Sequence, residues 1–203
     1  MLNYNFFKMK KILLSVVITI AAMQLSAQQI VVDKVEENGT RLIVTQKVYS
    51  GYPGIYVGLS SYRVKIGQSD TTVYKLSIRY GSQNNRQISV GRKLLLKLSD
   101  NNIITLENAE EIGATDYTSE LVQPGTYYER IVYYVFPDYD ITESQISQIC
   151  KNEVIKIRLE YNSGEYTIEE TKRKKNKFAT VIRNAYSEIQ EAYKTEKDIY
   201  TDF

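Results

Sequence analysis

Residues 74–80 read Tyr-Lys-Leu-Ser-Ile-Arg-Tyr, and residues 155–161 read Ile-Lys-Ile-Arg-Leu-Glu-Tyr. In both segments an apolar or aromatic side chain alternates with a polar one. Successive side chains of a β-strand point to opposite faces of its sheet, so this period of two predicts strands with one buried and one solvated face. Half-buried strands of this kind are typical of antiparallel sheets. The two segments therefore predict a mainly β fold.

Turn signals divide the rest of the chain into further strands. Asn38-Gly39 lies between two β-branched runs, which is the strongest short-range signal for a hairpin. The polar segment Asp100-Asn101-Asn102 lies between two leucine- and isoleucine-rich runs and predicts a second hairpin. A glycine- and proline-containing turn at residues 51–54 precedes a predicted strand at residues 55–66. About nine or ten strands are expected in total.

The run from Ile131 to Phe136 contains no polar residue, which predicts a strand covered on both faces. Such a strand requires a second layer, either another sheet or a helix. Thr142 and Gln145 have the spacing of a capping box, which predicts a short helix ending near Asn152.

A longer helix is predicted from about residue 178 to residue 200, because apolar residues recur there at intervals of three and four. Together these features predict antiparallel sandwich-like sheets, one short helix and a long amphipathic C-terminal helix. We expect all of them to belong to one β-rich domain, residues 28–203. The apolar positions of the long helix are Phe178, Val181, Ile182, Ala185, Ile189, Ala192 and Tyr193.

Residues 1–27 have the three parts of a secretory signal peptide. Three lysines precede an apolar stretch at residues 12–23, and Leu25-Ser26-Ala27 places small residues at the expected cleavage site. The stretch is shorter than the ~20 apolar residues of a membrane-spanning helix. We therefore expect export, cleavage near Ala27, and a mature chain in the periplasm or outside the cell without stable membrane insertion.

Composition limits the chemistry of the mature chain. The whole chain has 26 basic and 24 acidic residues, and the three lysines of the signal leave 23 basic residues after cleavage. This near-neutral balance gives no reason to expect a nucleic-acid partner. The absence of histidine excludes histidine-dependent catalytic sites and histidine-ligated metals. No cofactor or metal site is predicted, and the single cysteine, Cys150, is interpreted as a small buried apolar residue.

Four tyrosines around the predicted turn at residues 51–54 form the first candidate binding site: Tyr49, Tyr52, Tyr56 and Tyr62. Tyrosines on a rigid turn can stack on a sugar ring or form a binding patch. Tyrosine is also a common strand residue, so ordinary packing is the alternative.

A basic run forms the second candidate binding site: Lys172, Arg173, Lys174 and Lys175. Such a run can bind an anionic surface, or it can be a solvated linker that enters the last helix.

A catalytic alternative rests on the acidic segment at residues 108–125, which shows no clear periodicity and is interpreted as a loop. It contains Glu110, Glu111, Asp116 and Glu120. Paired carboxylates can hydrolyse glycosidic bonds, but these residues meet no spacing rule for such a pair.

Several segments share their order and pattern with a known group of proteins. Residues 94–100 read LLLKLSD, residues 139–145 read YDITESQ, and residues 155–160 read IKIRLE. With the signal ending Ser26-Ala27, this pattern resembles small exported domains of unknown function from Bacteroidetes-type bacteria, over about residues 70–170. The resemblance implies a cell-envelope location and a strand-rich fold. It brings no active site, so no residue role follows from it.

The function predicted from these features is an exported, non-catalytic binding or interaction module of the cell envelope, with a protein or a glycan as its unknown ligand. One alternative is a carboxylate-based hydrolase that acts on a surface glycan. A second is a small outer-membrane β-barrel, which export and alternating strands favour. The helical C-terminal residues and the uninterrupted apolar run from Ile131 count against the barrel.

Overall fold

The computed structural model describes residues 29–66, 69–82, 84–114, 116–123, 126–169 and 177–201. These residues form two antiparallel sheets and two helices. The strands of the larger sheet are β1 (Ile30–Val35), β2 (Arg41–Thr45), β3 (Val48–Tyr49), β4 (Ile55–Ile66), β5 (Ser69–Ser82), β8 (Asp116–Gln123), β9 (Thr126–Val135) and β10 (Asp138–Ile141). The strands of the smaller sheet are β6 (Lys93–Leu98), β7 (Ile103–Glu107), β11 (Val154–Tyr161) and β12 (Gly164–Glu169). The helices are α1 (Glu143–Lys151) and α2 (Phe178–Thr201).

The larger sheet has the strand order β1-β2-β4-β5-β9-β8, with β3 paired to β4 and β10 paired to β5. The smaller sheet has the order β12-β11-β6-β7. The buried side chains of both sheets and both helices form one hydrophobic core. This architecture confirms the predicted mainly β, sandwich-like fold with a short helix and a long C-terminal helix.

Both predicted hairpins are present. β1 pairs with β2 through a turn in which Gly39 has a φ of 81° and the Asn38 side chain accepts a 2.9 Å hydrogen bond from the backbone N–H of Thr40. β6 pairs with β7 through a turn in which Asn101 has a φ of 70°. Glycine and asparagine tolerate this left-handed conformation better than other residues, which is why these two positions form the turns.

The alternation in residues 74–80 places one face of β5 in the core, as predicted. Tyr74, Leu76, Ile78 and Tyr80 are all buried. Ser77 on the opposite face is also buried, between its register partners Gly58 on β4 and Asp138 on β10. The polar face of β5 is therefore covered at its centre.

In β11 the predicted alternation holds for Ile157, Leu159 and Tyr161, which are buried. It does not hold at Ile155, which is half-buried. The pairing with β6 shifts register between Val154 and Lys156, so Val154 occupies the core position instead. An irregularity of this kind changes the face to which a side chain points.

The prediction for the segment between residues 108 and 125 was wrong in part. Residues 116–123 form β8, which pairs with β9, rather than a loop. The structure describes twelve strands, more than the nine or ten expected, and β8 is one of the additional ones.

The prediction that the run to Phe136 is covered on both faces is also wrong for the side chains that the structure describes. Only Val135 is buried, whereas Tyr134 and Phe136 are among the half-buried residues.

α2 packs against the inner face of β4, next to β1 and β2. Near its C-terminal end, the Tyr193 hydroxyl forms a 2.9 Å hydrogen bond with the Ser61 hydroxyl on β4. The guanidinium carbon of Arg63 lies 3.4 Å from the centre of the Tyr193 ring. Of the predicted apolar positions, all are buried except Ala192, which is half-buried. The apolar face of this helix is therefore covered by the chain's own sheet.

α1 begins with the predicted capping box. The Thr142 hydroxyl accepts a hydrogen bond from the Gln145 N–H, and the Gln145 side chain accepts one from the Thr142 N–H. Asn152 is the C-cap of the helix, as expected, and Ile146 and Ile149 are buried against the core. α1 also contacts α2, so the two helices form one helical layer.

The predicted signal peptide, residues 1–27, lies outside the described residues. Neither helix of the described part combines the length and the apolar character that a membrane crossing requires.

Candidate functional site: an aromatic row on the outer face of the larger sheet

The larger sheet has an inner face in the core and an outer face on the opposite side. Along β4, Ile55, Val57 and Leu59 point inward and are buried. The alternate residues point to the outer face; Tyr56 and Tyr62 are half-buried there, whereas the small residues Gly58 and Ser60 between them are buried. Successive side chains of a strand point to opposite faces, so Tyr56 and Tyr62 are left for contacts outside the core.

Five side chains form a continuous row across this outer face. Tyr49 and Tyr56 are register partners on β3 and β4, and their ring centres are 5.6 Å apart. Tyr56 and Arg79 are register partners on β4 and β5. We call Tyr49, Tyr56, Arg79, Tyr134 and Phe136 the aromatic row.

Arg79 connects the two halves of the aromatic row. Its guanidinium carbon lies 4.5 Å from the centre of the Tyr56 ring and 4.4 Å from the centre of the Tyr134 ring. The Tyr134 and Phe136 ring centres are 6.4 Å apart. A cation this close to an aromatic ring is attracted by the negative potential of the ring face. The row therefore consists of packed side chains in contact with one another.

Gly81 allows Tyr134 to occupy its place in the row. These two residues are register partners on β5 and β9, and a Cβ atom on Gly81 would lie 2.8 Å from Cε1 of Tyr134. Any other residue at position 81 would displace the ring. The turn at residues 51–54 is fixed next to Gly81, because the Gly81 N–H donates a 3.1 Å hydrogen bond to the Gly54 carbonyl.

The guanidinium of Arg79 has no polar partner in the described part of the chain. Its Nε is buried and makes no hydrogen bond there, and the ion pairs of this part involve other residues. By register, Asp138 and Asp140 on β10 are opposite Ser77 and Lys75, and Asp116 on β8 is opposite Tyr134. The positively charged guanidinium of Arg79 therefore contacts two aromatic rings but no carboxylate in the described part of the chain.

The structure places the four predicted tyrosines in three different environments. Tyr49 and Tyr56 belong to the aromatic row. Tyr62 is on the same face six residues along β4, where the Lys75 Nζ lies 5.8 Å from its ring centre. Tyr52 is buried, and its hydroxyl donates a hydrogen bond to the Val154 carbonyl of the smaller sheet. Tyr52 thus connects the two sheets, and its prediction as a surface binding residue was wrong.

The other predicted sites contribute no group to the aromatic row. The basic run Lys172, Arg173, Lys174 and Lys175 lies outside the described residues. Glu110 and Glu111 are exposed. Among the described residues, no group of three or more acids and cysteines is arranged to hold a metal ion.

Cys150, which was predicted to be a small buried apolar residue, is half-buried and packs against the hydrophobic core. Burial raises the pKa of its thiol, and this effect outweighs the opposing charge of nearby Arg183. Since the thiolate is the reactive form, the thiol is less nucleophilic than an exposed cysteine.

One buried tyrosine hydroxyl lies between the two sheets. Tyr139 is fully buried, and its hydroxyl makes no hydrogen bond in the described part of the chain. Burial, and to a lesser extent the charge of Glu160, raises the pKa of Tyr139 well above its ordinary value. A neutral hydroxyl in this position is a structural group rather than a proton donor or acceptor at ordinary pH.

The sequence analysis did not identify Arg79, Tyr134 and Phe136 as members of a binding site. The alternation in residues 74–80 did place Arg79 opposite the core, but it gave no sign of the two flanking rings. Tyr134 and Phe136 lie in the run that was predicted to be covered on both faces. Their position beside Arg79 depends on the pairing of β9 with β5, for which the sequence has no local signal.

No protein-family model matches the chain, and neither a curated protein nor a solved structure is significantly similar to it. Function is therefore inferred from the geometry of this chain alone.

Proposed function

We propose that the protein is an exported, non-catalytic binding module of the cell envelope, and that the aromatic row is its binding surface. The observation that carries the proposal is the contact of Arg79 with both Tyr56 and Tyr134 on the face opposite the core. Export is inferred from the N-terminal segment, and non-catalytic binding from the absence of histidine and the character of this surface.

The position of the row on the sheet supports a binding role. Its members come from β3, β4, β5 and the end of β9, which are fixed by backbone pairing. Neighbouring strands are separated by about 4.8 Å, so a row across four strands is about 14 Å long. Rings on paired strands lose little conformational freedom when a ligand binds, which favours affinity.

The chemistry of the row also supports binding. Tyrosine rings offer an apolar face for packing and a hydroxyl for hydrogen bonding, and both are common at recognition surfaces. The folded chain does not require these rings in its core, because the inner face of the same strands already supplies the buried residues.

Binding to immobilised envelope polysaccharides and to envelope protein extract tests the proposal. We expect the purified wild-type protein to bind, and the double variant Tyr56→Ala, Tyr134→Ala to bind at least about tenfold more weakly. Tyr186→Ala is the matched control, because Tyr186 is a half-buried tyrosine on α2, away from the outer face. An unchanged affinity of the double variant, or an equal loss in Tyr186→Ala, contradicts the proposal.

A further inference from the structure

The geometry points to Arg79 as the recognition group for a carboxylate, and we propose that the ligand of the aromatic row is an acidic polysaccharide that contains uronate sugars. This inference rests on the proposed function and specifies its ligand. The positively charged guanidinium of Arg79 packs against two aromatic rings and forms no ion pair with a carboxylate of the described chain.

A guanidinium has planar N–H donors whose geometry matches the two oxygens of a carboxylate. When its faces contact aromatic rings, the donors along its edge remain available for hydrogen bonding. The buried Nε of Arg79 lacks a partner in the described part of the chain, and leaving a charged donor without one costs free energy. A ligand carboxylate on the outer face supplies the opposite charge and accepts hydrogen bonds from the terminal N–H groups of the guanidinium, while the Nε remains buried.

The rings beside Arg79 favour a sugar as the carrier of that carboxylate. A pyranose ring presents a flat face of C–H groups that packs on an aromatic ring, while its hydroxyl groups remain hydrated. Tyr49 and Tyr56 lie on one side of Arg79, and Tyr134 and Phe136 lie on the other. A uronate unit at Arg79 thus has an aromatic surface for its neighbouring sugars on both sides.

The location of the row argues against an extended peptide. Peptides that bind to a sheet usually add a strand at its edge, where backbone N–H and C=O groups are free. The aromatic row crosses the face of the sheet, where β4 pairs with β5 along its whole length and the end of β5 pairs with β9. A ligand on this face therefore has side chains alone to contact.

A pair of polymers that differ only in charge tests the inference without any variant. Polygalacturonate carries one carboxylate per sugar, and its fully methyl-esterified form has the same sugars without the charge. We expect the wild-type protein to bind polygalacturonate at least about tenfold more tightly than the ester, measured by isothermal titration calorimetry. Alginate and hyaluronate, which carry other uronates, extend the test to different sugar stereochemistry.

Variants of Arg79 test whether this residue is responsible for the tighter binding of the acidic polymer. Arg79→Gln removes the charge and should weaken binding of the acidic polymer by at least about tenfold, with no effect on binding of the ester. Arg79→Lys keeps the charge but loses the planar donors, so we expect it to recover only part of the affinity. Lys75→Gln is the matched control, because it removes the same charge from the same strand and face.

Gly81→Ala tests the arrangement of the row rather than its charge. The added Cβ displaces the Tyr134 ring from Arg79, so we expect weaker binding of the acidic polymer while the thermal unfolding midpoint stays close to that of the wild type. Circular dichroism of each variant checks that the chain is folded.

Three results would overturn the inference. They are equal binding of the acid and the ester, equal losses in Arg79→Gln and Lys75→Gln, and no binding of any of the three uronate polymers. If the wild-type protein binds neutral polysaccharides or the ester, and Tyr56→Ala with Tyr134→Ala abolishes that binding, the proposed function stands and only the carboxylate inference fails. If it binds no polysaccharide and no envelope protein, both fail.

Discussion

The hydrogen bond between Tyr193 and Ser61 gives a quantitative test of how the C-terminal helix is attached. Both residues are buried, with 3% and 0% of their surfaces exposed, and their hydroxyl oxygens are 2.9 Å apart. Tyr193→Phe removes one hydroxyl and leaves the Ser61 hydroxyl buried without its partner. The contact between Arg63 and the ring is preserved, so the change isolates the hydrogen bond.

An unsatisfied buried hydroxyl costs about 1–2 kcal/mol, so Tyr193→Phe should lower the free energy of unfolding by that amount. Ser61→Ala should have a similar effect, because it leaves the Tyr193 hydroxyl unsatisfied. The double variant contains neither hydroxyl, so no unsatisfied group remains. Its free energy of unfolding should therefore decrease by about 1 kcal/mol less than the sum of the two single decreases.

Urea denaturation followed by circular dichroism measures these differences. With a slope of about 2 kcal/mol per molar urea, each single substitution should lower the midpoint by about 0.5–1 M. Lys194→Ala, an exposed position on the same helix, should stay within about 0.5 kcal/mol of wild type. Additivity of the two single effects to within about 0.3 kcal/mol would show that the helix does not pack on β4 through this contact.

Three further predictions concern the core and the pH dependence of stability. Ile157→Asp buries a charge and should lower the free energy of unfolding by more than about 4 kcal/mol, which abolishes soluble expression. Ile103→Asp, at an exposed position of β7, should leave the free energy of unfolding nearly unchanged. Equal yields of the two soluble variants would contradict the assignment of the core face. Tyr139→Phe removes a buried hydroxyl without a partner in the described chain, so denaturation at pH 7 should show unchanged or higher stability, by up to about 1 kcal/mol. Burial raises the pKa of Tyr139 above its ordinary value of 10.0, so the folded state resists ionisation of this hydroxyl and loses stability as the pH rises above 10.0. Tyr139→Phe lacks the ionisable hydroxyl, so its free energy of unfolding should fall less in alkali than that of the wild type. The hydrogen bond from Arg41 lowers the pKa of Asp33 below its ordinary value of 3.8, so the stability that ionised Asp33 contributes is present above pH 3.8 and is lost as the pH falls through the lowered pKa. The thermal unfolding midpoint of Asp33→Asn should therefore fall less steeply in acid than that of the wild type. An identical fall in the two proteins would contradict this.

Features that depend on a few neighbouring residues could be predicted from the sequence. The turn at Asn38-Gly39, the alternation in residues 74–80 and the capping box at Thr142 each involve contacts within one strand, turn or helix. Their physical causes are backbone conformation and side-chain periodicity, both of which are visible in a short segment. For the same reason the bounds of the long helix were predicted to within one residue of the observed Phe178–Thr201.

Features that depend on contacts between distant segments could not be predicted. Tyr52 lies in a turn, where tyrosines are usually on the surface, but its hydroxyl bonds to a carbonyl 102 residues further along the chain. Residues 116–123 contain acids and lack regular alternation, and they form a strand through their pairing with β9. The aromatic row was only half visible for the same reason, since Arg79 and Tyr134 meet through the pairing of two strands.

The contacts of the C-terminal helix also determine when the chain can finish folding. The Tyr193 bond joins residues that are 132 positions apart, and the bond from Arg41 to the Ala192 carbonyl joins residues that are 151 apart. Contacts of such long separation form late, because closing a long loop costs entropy before any contact is gained. The inner face of β4 therefore remains uncovered until the last part of the chain has been synthesised. Until then the core is incomplete, and we expect the proposed export to act on the chain in this incompletely folded state.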